Sequence, residues 1–386
     1  MEQRAEIGGA GNTVVQIEGD RNTVNLKGLA HLTLTRYLTR RRIDSDADLL
    51  NPYARSIPLI GRDAEMTALR AWLLSEKAIS VRVITGRGGA GETRLALELC
   101  EAMREEGWDA GFVESGELVR FRNQQNLSTW SWQWPTLVVI DYAAAHAERL
   151  SDWLNELSDN PGNPEKPLRL LLLERYADAS SGWWQTAIGR GGWATKAVQK
   201  LLDPAEPVPL PPITDSETRR EVLREVLGKK GVRVRPPEGG SDPAFDQKLR
   251  ELPWGGEPLF LMMAAIMAAE RNMSQVLSLG RTDLAFELAG REAARLARIS
   301  EARGIDPDFL STMAGYVTVC GGLGRADLRT AIEAEKHALG LPSAGDSGKV
   351  ANALCEVVVS RSWWKLRGAA PRAWWSPSGG EVKVAG

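Results

Sequence analysis

The run Gly86-Arg87-Gly88-Gly89-Ala90-Gly91-Glu92-Thr93 carries the most pointed chemistry in the chain. Its glycines let backbone N–H groups converge on an anion, and a helix starting behind them adds its dipole. The spacing approaches the phosphate-loop pattern G-x-x-x-x-G-K-[ST], in which the lysine reaches the β- and γ-phosphates and the hydroxyl serves Mg2+. Thr93 supplies that hydroxyl, but Glu92 stands where the lysine belongs. A unit charge at ~4 Å and an effective dielectric of ~20 is worth roughly 4 kcal/mol. Reversing its sign therefore disfavours a triphosphate by several kcal/mol, roughly a thousandfold or more in affinity. Arg87 and Arg94 offset part of that loss, though neither occupies the lysine's position. A second role for Glu92 stays open, because a glutamate in a first helical turn is itself stabilised by the dipole.

Strands and helices must hold this loop in place. Ser80-Val-Arg-Val-Ile-Thr85 is β-branched and reads as the strand leading into it. In the helix predicted over Thr93 to Glu106, Ala96, Leu99, Cys100 and Met103 fall at i, i+3, i+4 and i+7, and Gly107 is placed to end it. Further strands are predicted at Ala110–Glu114, Thr136–Asp141, Leu168–Leu173 and Pro207–Leu210. Thr214-Asp-Ser-Glu217 reads as a capping box opening a helix that ends near Gly228. Such alternation predicts an α/β fold, a P-loop NTPase parallel sheet with helices on both faces. Residues 236 to about 345 read as mostly helical.

Three further signatures surround the loop. Pro58-Leu-Ile-Gly61-Arg62-Asp63-Ala-Glu65, followed by Leu69 and Trp72, resembles the entry motif of the STAND-type NTPases. These P-loop signalling ATPases are relatives of the apoptotic and plant-resistance ATPases and also occur in bacterial defence. Asp141, closing the third strand, looks like the Walker B aspartate. Arg175, just past the fourth, looks like the family's sensor arginine, and Gly256-Glu-Pro258-Leu259 is similar to its G-x-P-L signature.

The resemblance spans roughly residues 57–345. It implies ATP or ADP with Mg2+ as cofactor. Gly61 and Arg62 would lie beside base and ribose. Gly86, Arg87, Gly88, Gly89, Ala90, Gly91, Glu92, Thr93 and Arg94 would surround the phosphates. Thr93 and Asp141 would hold the metal, Arg175 would face the γ-phosphate and Pro258 would approach the adenine. It also implies a winged-helix-like element in the helical region. This chain departs from the pattern at Glu92 and at Tyr142, where many relatives place a second acidic residue. Ala144 offers no substitute, so no catalytic set is intact and hydrolysis lacks both electrostatic clamp and base. Relatives usually continue into a long repeat-built sensor, whereas this chain stops at Gly386.

The bulk numbers set the frame. With 386 residues, 43% apolar and 25% charged, two or three globular domains are expected. A net charge of −2 exerts no global pull toward nucleic acid or anionic membrane. Cys100, Cys320 and Cys355, and likewise His31, His146 and His337, are too scattered for a disulfide framework or a metal site, which fits a reducing compartment. The N-terminus lacks the basic-then-apolar run of a signal peptide, and the longest apolar stretch, Pro258–Ala269, falls short of a membrane span. A cytoplasmic protein is expected.

Ile7-Gly-Gly-Ala-Gly-Asn-Thr-Val recurs as Ile17-Glu-Gly-Asp-Arg-Asn-Thr-Val, ten residues later. Each unit reads as a turn and a short strand, a short β-repeat suited to homo-oligomer assembly or effector attachment; a flexible arm is the alternative. The expected plan is the β-repeat at 1–30, a linker at 31–56 with Arg36, Arg40, Arg41 and Arg42, and the P-loop domain at 57–235. A helical, winged-helix-like region at 236–345 and an irregular Trp-rich tail at 346–386 follow. The tryptophans at 130, 132, 134, 183 and 184 and in the tail are expected in core or loop packing.

The functional expectation is an ATP/ADP-binding signal-transduction switch of STAND type, with nucleotide binding weakened and hydrolysis lost through Glu92. Its expected partners are nucleotide, further copies of the chain, and a trigger or effector that the sequence does not identify; neither membrane nor nucleic acid is expected. A non-enzymatic scaffold with a degenerate loop and an origin-recognition-like DNA-associated ATPase are the alternatives. Nucleotide affinity and salt-dependent DNA binding separate them.

Overall fold

The computed structural model describes residues 31–37, 43, 45–178, 182–189, 193–319, 325–340 and 345–357. The N-terminal repeat, Arg40, Arg41, Arg42 and the tryptophans of the tail lie outside them.

Five strands build one parallel sheet: β1 (Ile79–Thr85), β2 (Asp109–Phe112), β3 (Thr136–Asp141), β4 (Leu168–Glu174) and β5 (Val208–Pro209). Their order is β2-β3-β4-β1-β5, so β4 is inserted between the strand entering the glycine loop and the strand ending on Asp141. Val81 pairs with Leu170, and Val138 with the same Leu170 from the other side. The ends of β1, β3 and β4 therefore finish level, at one edge of the sheet. The fifth strand is shorter than its sequence promised, and its proline is tolerated because it sits at the sheet edge.

Before and within the sheet run α1 (Asp46–Leu50), α2 (Asp63–Leu73), α3 (Glu92–Glu105), α4 (Ser115–Gln124), α5 (Ala147–Ser158), α6 (Gly182–Ile188) and α7 (Trp193–Leu201). Both faces of the sheet are covered, which is why β3 and β4 are apolar at consecutive positions. Val138, Ile140, Leu170 and Leu172 point into a core with Leu150, Trp153 and Leu154 of α5. Leu137, Val139, Leu171 and Leu173 point the other way, onto Leu95, Leu99 and Met103 of α3 and Leu69 and Trp72 of α2. Trp130 and Trp132 pack in the first core, whereas Trp134 is 62% exposed.

Arg169, on β4, is fully buried and donates to the carbonyls of Trp72, Leu73, Ser75 and Lys77. It thereby satisfies the orphan acceptors at the C-terminal end of α2 and fixes that helix to the sheet. Its burial lowers the guanidinium pKa to about 10.

The remaining helices are α8 (Ser216–Lys229), α9 (Pro243–Arg250), α10 (Pro258–Ala268), α11 (Met273–Val276), α12 (Arg281–Arg303), α13 (Pro307–Val319), α14 (Arg325–Ala338) and α15 (Ser347–Val357). The cap of α8 is Asp215, whose side chain accepts from Thr218 N, rather than Thr214. Helix α10 is apolar on all sides because it is the centre of a helical core. Leu49 of α1, Val222 and Val226 of α8 and Leu249 of α9 pack around it. A separate core joins Leu296 of α12 with Phe309, Leu310, Ile332, Val350 and Leu354.

Helix α8, within the segment assigned to the P-loop domain at 57–235, packs its apolar face in the helical core. The expected linker at 31–56 is built into the structure: Thr35 pairs with Phe112 at the free edge of β2, and α1 packs on α10. Helix α15 extends the helical region past residue 345 into the segment expected to be irregular. The described residues of 236–345 form helices joined by short turns, as the sequence predicted for this region. Among the described residues, no helix is long and apolar enough to cross a membrane.

Candidate functional site

The level ends of β1, β3 and β4 gather the glycine loop, Asp141 and Arg175 at one edge of the sheet. Gly91, at φ +99°, is the N-cap of α3 and turns the loop into the helix. Gly89 also has positive φ, at +94°, and a Cβ there would stand 2.9 Å from Leu259 Cβ. Only glycine permits this conformation together with this close approach. Thr93, 6% exposed, donates its hydroxyl to Asp141 Oδ2 at 2.9 Å. A Thr hydroxyl beside a carboxylate at the start of the helix is the pair that a phosphate-bound Mg2+ uses.

Two segments distant in sequence hold the loop. Arg62 is almost fully buried, and its guanidinium donates to Ala90 O at 2.9 Å, to Pro211 O at 2.7 Å and to Glu65 at 3.2 Å. Leu259 N, in the first turn of α10, donates to Gly89 O at 3.2 Å. The entry segment and the helical region therefore both grip carbonyls of the phosphate loop. Burial lowers the pKa of Arg62, with Glu65 opposing the shift.

Between these elements lies a cavity of about 150 Å³, walled by Leu50, Ile57, Pro58, Ile60, Val222, Pro258 and Met262 and floored by Gly89–Arg94. A smaller compartment of about 50 Å³ adjoins it, lined by Gly88, Gly89, Glu92, Thr93, Asp141, Tyr142, Glu174 and Arg175. Gly89, Glu92 and Thr93 line both. The larger compartment has the apolar walls suited to a flat aromatic ring. Charged groups border both: Arg62, Glu92 and Arg94 the larger, and Glu92, Asp141, Glu174 and Arg175 the smaller.

Glu92 does not point away from the loop. A Cβ on Gly86 would lie 2.6 Å from Glu92 Oε1, so the carboxylate folds back over the loop's first residue. Its charge thus sits at the junction of the two compartments, where a bound nucleotide's phosphates would run.

The structure sorts the expected residues. Arg62, Ala90, Gly91, Arg94 and Pro258 border the large compartment, Gly88, Asp141 and Arg175 the small one, and Gly89, Glu92 and Thr93 both. Gly61 borders neither: a Cβ there would run into Thr218, so its place is against α8. Gly86 shapes the loop beneath Glu92, and Arg87 is exposed outside both compartments. Arg94 is committed to Glu98 and to Ile57 O, which leaves it poorly placed to stand in for the missing lysine.

Two residues went unnoticed in the sequence. Glu174, at the end of β4, accepts from Ala144 N at 2.9 Å and from Arg175 N at 2.7 Å. Both its oxygens are engaged by backbone donors, so it braces the β3 and β4 loops rather than replacing the absent base. Its place just before the expected sensor arginine was the available signal. Asn51 lies in the large compartment's wall, 6% exposed, and belongs to the segment read as a linker. Nothing in its sequence context marked it.

Tyr142 follows Asp141 in left-handed backbone, φ +60°, a conformation uncommon for a non-glycine residue. Burial, then Asp141, pushes its phenol well above the ordinary tyrosine range, while a hydrogen bond with Arg175 opposes the shift. It remains a neutral phenol at physiological pH and cannot serve as a carboxylate base.

The sequence matches no protein-family model and no curated protein. Among solved structures, the chain is similar to the Aeropyrum pernix ORC1 protein in complex with DNA, at 16% identity and a TM-score of 0.36. That alignment covers 81% of this chain and 98% of the other. A likeness of that degree carries nothing about ligand or partner. The parallel sheet, the glycine loop between β1 and α3, and the Thr93–Asp141 pair make the fold an α/β P-loop fold with a helical C-terminal region.

Proposed function

We propose that this chain is an adenine-nucleotide-binding switch of STAND type whose phosphate affinity is attenuated by Glu92. The observation that carries the reading is the double grip on the phosphate loop, Arg62 on Ala90 O and Leu259 N on Gly89 O. A ligand that alters the loop must act on both the entry segment and α10. The helical region therefore responds to occupancy in the way a switch requires.

In this reading the apolar compartment takes the base beside Pro258. The loop amides and Arg175 face the phosphates, and Thr93 with Asp141 holds Mg2+, which would neutralise phosphate charge when bound. The donor set fits the metal and the base. At the phosphates it fits poorly, because Glu92 stands against them. Neither Tyr142 nor Glu174 offers a free base, so the site is built for occupancy rather than turnover.

Hydrogen exchange on the Glu92→Lys variant tests the coupling. Saturating Mg-ADP is expected to protect residues 86–94 and 257–262 together. Protection confined to the loop would overturn the switch reading. A second reading, a scaffold with a purely structural loop, is favoured by the Glu92 carboxylate folded over Gly86; it predicts no protection at either segment.

A further inference from the structure

Residues 31–37 run antiparallel to β2 along its outer edge. Thr35 N donates to Phe112 O at 2.7 Å, and Phe112 N donates to Thr35 O at 3.1 Å. Leu32 is buried, and a Cβ on Gly111 would stand 2.9 Å from Thr35 O, so β2 keeps a glycine where the segment crosses it. The antiparallel course puts His31 at the carboxyl end of β2, the edge of the sheet that carries the site. Two residues of α4 hold it there: Arg120 donates to His31 O at 2.8 Å, and Glu117 accepts from Thr33 N at 2.7 Å. At the other end, the Tyr37 ring lies 4.4 Å from that of Tyr53. Arg55 donates to Tyr37 O at 3.5 Å and to Leu97 O on α3 at 3.4 Å, and pairs with Glu101 on the same helix. Tyr53 and Arg55 belong to the stretch 50–57, of which Leu50, Pro52, Ser56 and Ile57 line the large compartment. Arg55 is a costly residue to keep. Its guanidinium is almost fully buried, its Nε has no hydrogen-bond partner, and its backbone is left-handed at φ +49°. Strain of this kind persists where the surrounding structure over-determines it, commonly at sites and switches.

We propose that residues 31–37 are a regulatory strap: seated on β2, they hold Tyr53 and Arg55 and so fix both the wall of the large compartment and the helix behind the phosphate loop. Leu97 and Glu101 lie on α3, whose first turn carries Glu92 and Thr93. Unseating the strap takes the Tyr37 ring off Tyr53 and the Tyr37 carbonyl off Arg55. The buried guanidinium then has one acceptor fewer, beside residues that line the compartment. Burial first, and then Asp141, pushes the Tyr53 phenol well above the ordinary tyrosine range, so the ring beneath the strap already senses a carboxylate of the site. Coupling between two sites is reciprocal. A partner that pulls on the chain ahead of His31 therefore loosens the compartment, and a ligand that stiffens the wall tightens the strap. The link concerns the wall itself, occupied or empty, so its test needs no nucleotide and stands or falls apart from the switch reading.

Native-state hydrogen exchange on the full chain tests the proposal. Two variants unseat the strap from opposite sides: Thr35→Pro removes the donor to Phe112 O, and Gly111→Ala places a methyl group against Thr35 O. Each is expected to speed exchange at 31–37, and with it at 50–57 and 94–101, by at least about fivefold, while β4 at 168–173 stays within about twofold of wild type. In an Arg55→Met background the same unseating should add less than about twofold at 94–101, because the tie to α3 is already cut. Arg55→Lys, which keeps a charge for Glu101 but loses the fork that reaches both carbonyls, gives the same comparison should Arg55→Met fail to fold. Opening of 31–37 with wild-type rates at 50–57 and 94–101 would make the strap a passive cover of the sheet edge and overturn the proposal. Equal acceleration at 168–173 would show a general loss of stability and overturn it too. Unchanged exchange at 31–37 in both variants would remove the bridge to Phe112 as the seat. An undiminished response of 94–101 without Arg55 would remove the link.

Discussion

Replacing Arg62 by methionine removes the guanidinium that joins the entry segment to the phosphate loop. Methionine is unbranched and can follow the same channel, so the perturbation is chiefly polar rather than a cavity. Ala90 O, buried, loses its donor, and Pro211 O, partly buried, loses another. An orphaned buried acceptor costs about 1–3 kcal/mol, and the second carbonyl belongs at the low end because water can reach it. Glu65 has a side chain 23% exposed and rehydrates at little cost. The desolvation that lowers the Arg62 pKa is recovered, which offsets part of the loss. The net expectation is a destabilisation of ~2–3 kcal/mol, or roughly 4–12 °C in Tm for a unit of 150–250 residues. Urea unfolding followed by tryptophan fluorescence measures it. Hydrogen exchange should show residues 88–91 opening at lower cost, because of the two segments that grip the loop only α10, through Leu259 N, then remains. A loss below ~1 kcal/mol with unchanged exchange at 88–91 would refute the bridging role.

Three other outcomes follow from the same geometry. The Glu92→Lys variant should turn Mg-ATP over far below an ordinary enzyme rate of around 10 s⁻¹, since Tyr142 is held neutral and both Glu174 oxygens are engaged; phosphate release near that rate would require a base not identified at the site. Burial raises the Cys100 thiol to about 12, so mass mapping after iodoacetamide at pH 8 should find its peptide unlabelled in the native chain and labelled in urea. Deleting residues 1–30 should leave the P-loop unit folded and lower the particle mass seen by light scattering, and an unchanged mass would remove the assembly role of the repeat.

The sequence disclosed most of what local chemistry dictates. Glycine spacing located the loop, and the continuous apolar runs of β3 and β4 announced strands buried on both faces. Thr93 and Asp141, 48 residues apart, could be paired because each occupies a fixed place at a strand or helix end. What stayed hidden was long-range. Arg62 borders the large compartment, as a residue expected beside a ligand should, but its ties to Ala90 O and to Pro211 O, 149 residues away, could not be read from the sequence. Asn51 lay in a polar, turn-rich stretch that reads as linker, and only the packing of α1 on α10 brings it to the cavity wall. Arg94 seemed able to compensate for Glu92 until Glu98 and Ile57 O were seen to hold it. Helix α8 read as part of the P-loop unit because a capping motif says where a helix starts and nothing about which core its apolar face meets.

We propose that this loop is a phosphate site disabled by the single charge of Glu92, and calorimetric titration of Mg-ADP into the wild type and the Glu92→Lys variant decides it. Exchanging repulsion for attraction at the junction of the two compartments should tighten binding by at least roughly tenfold. Equal affinities in two folded proteins would contradict the claim and show that the loop does not cradle phosphate.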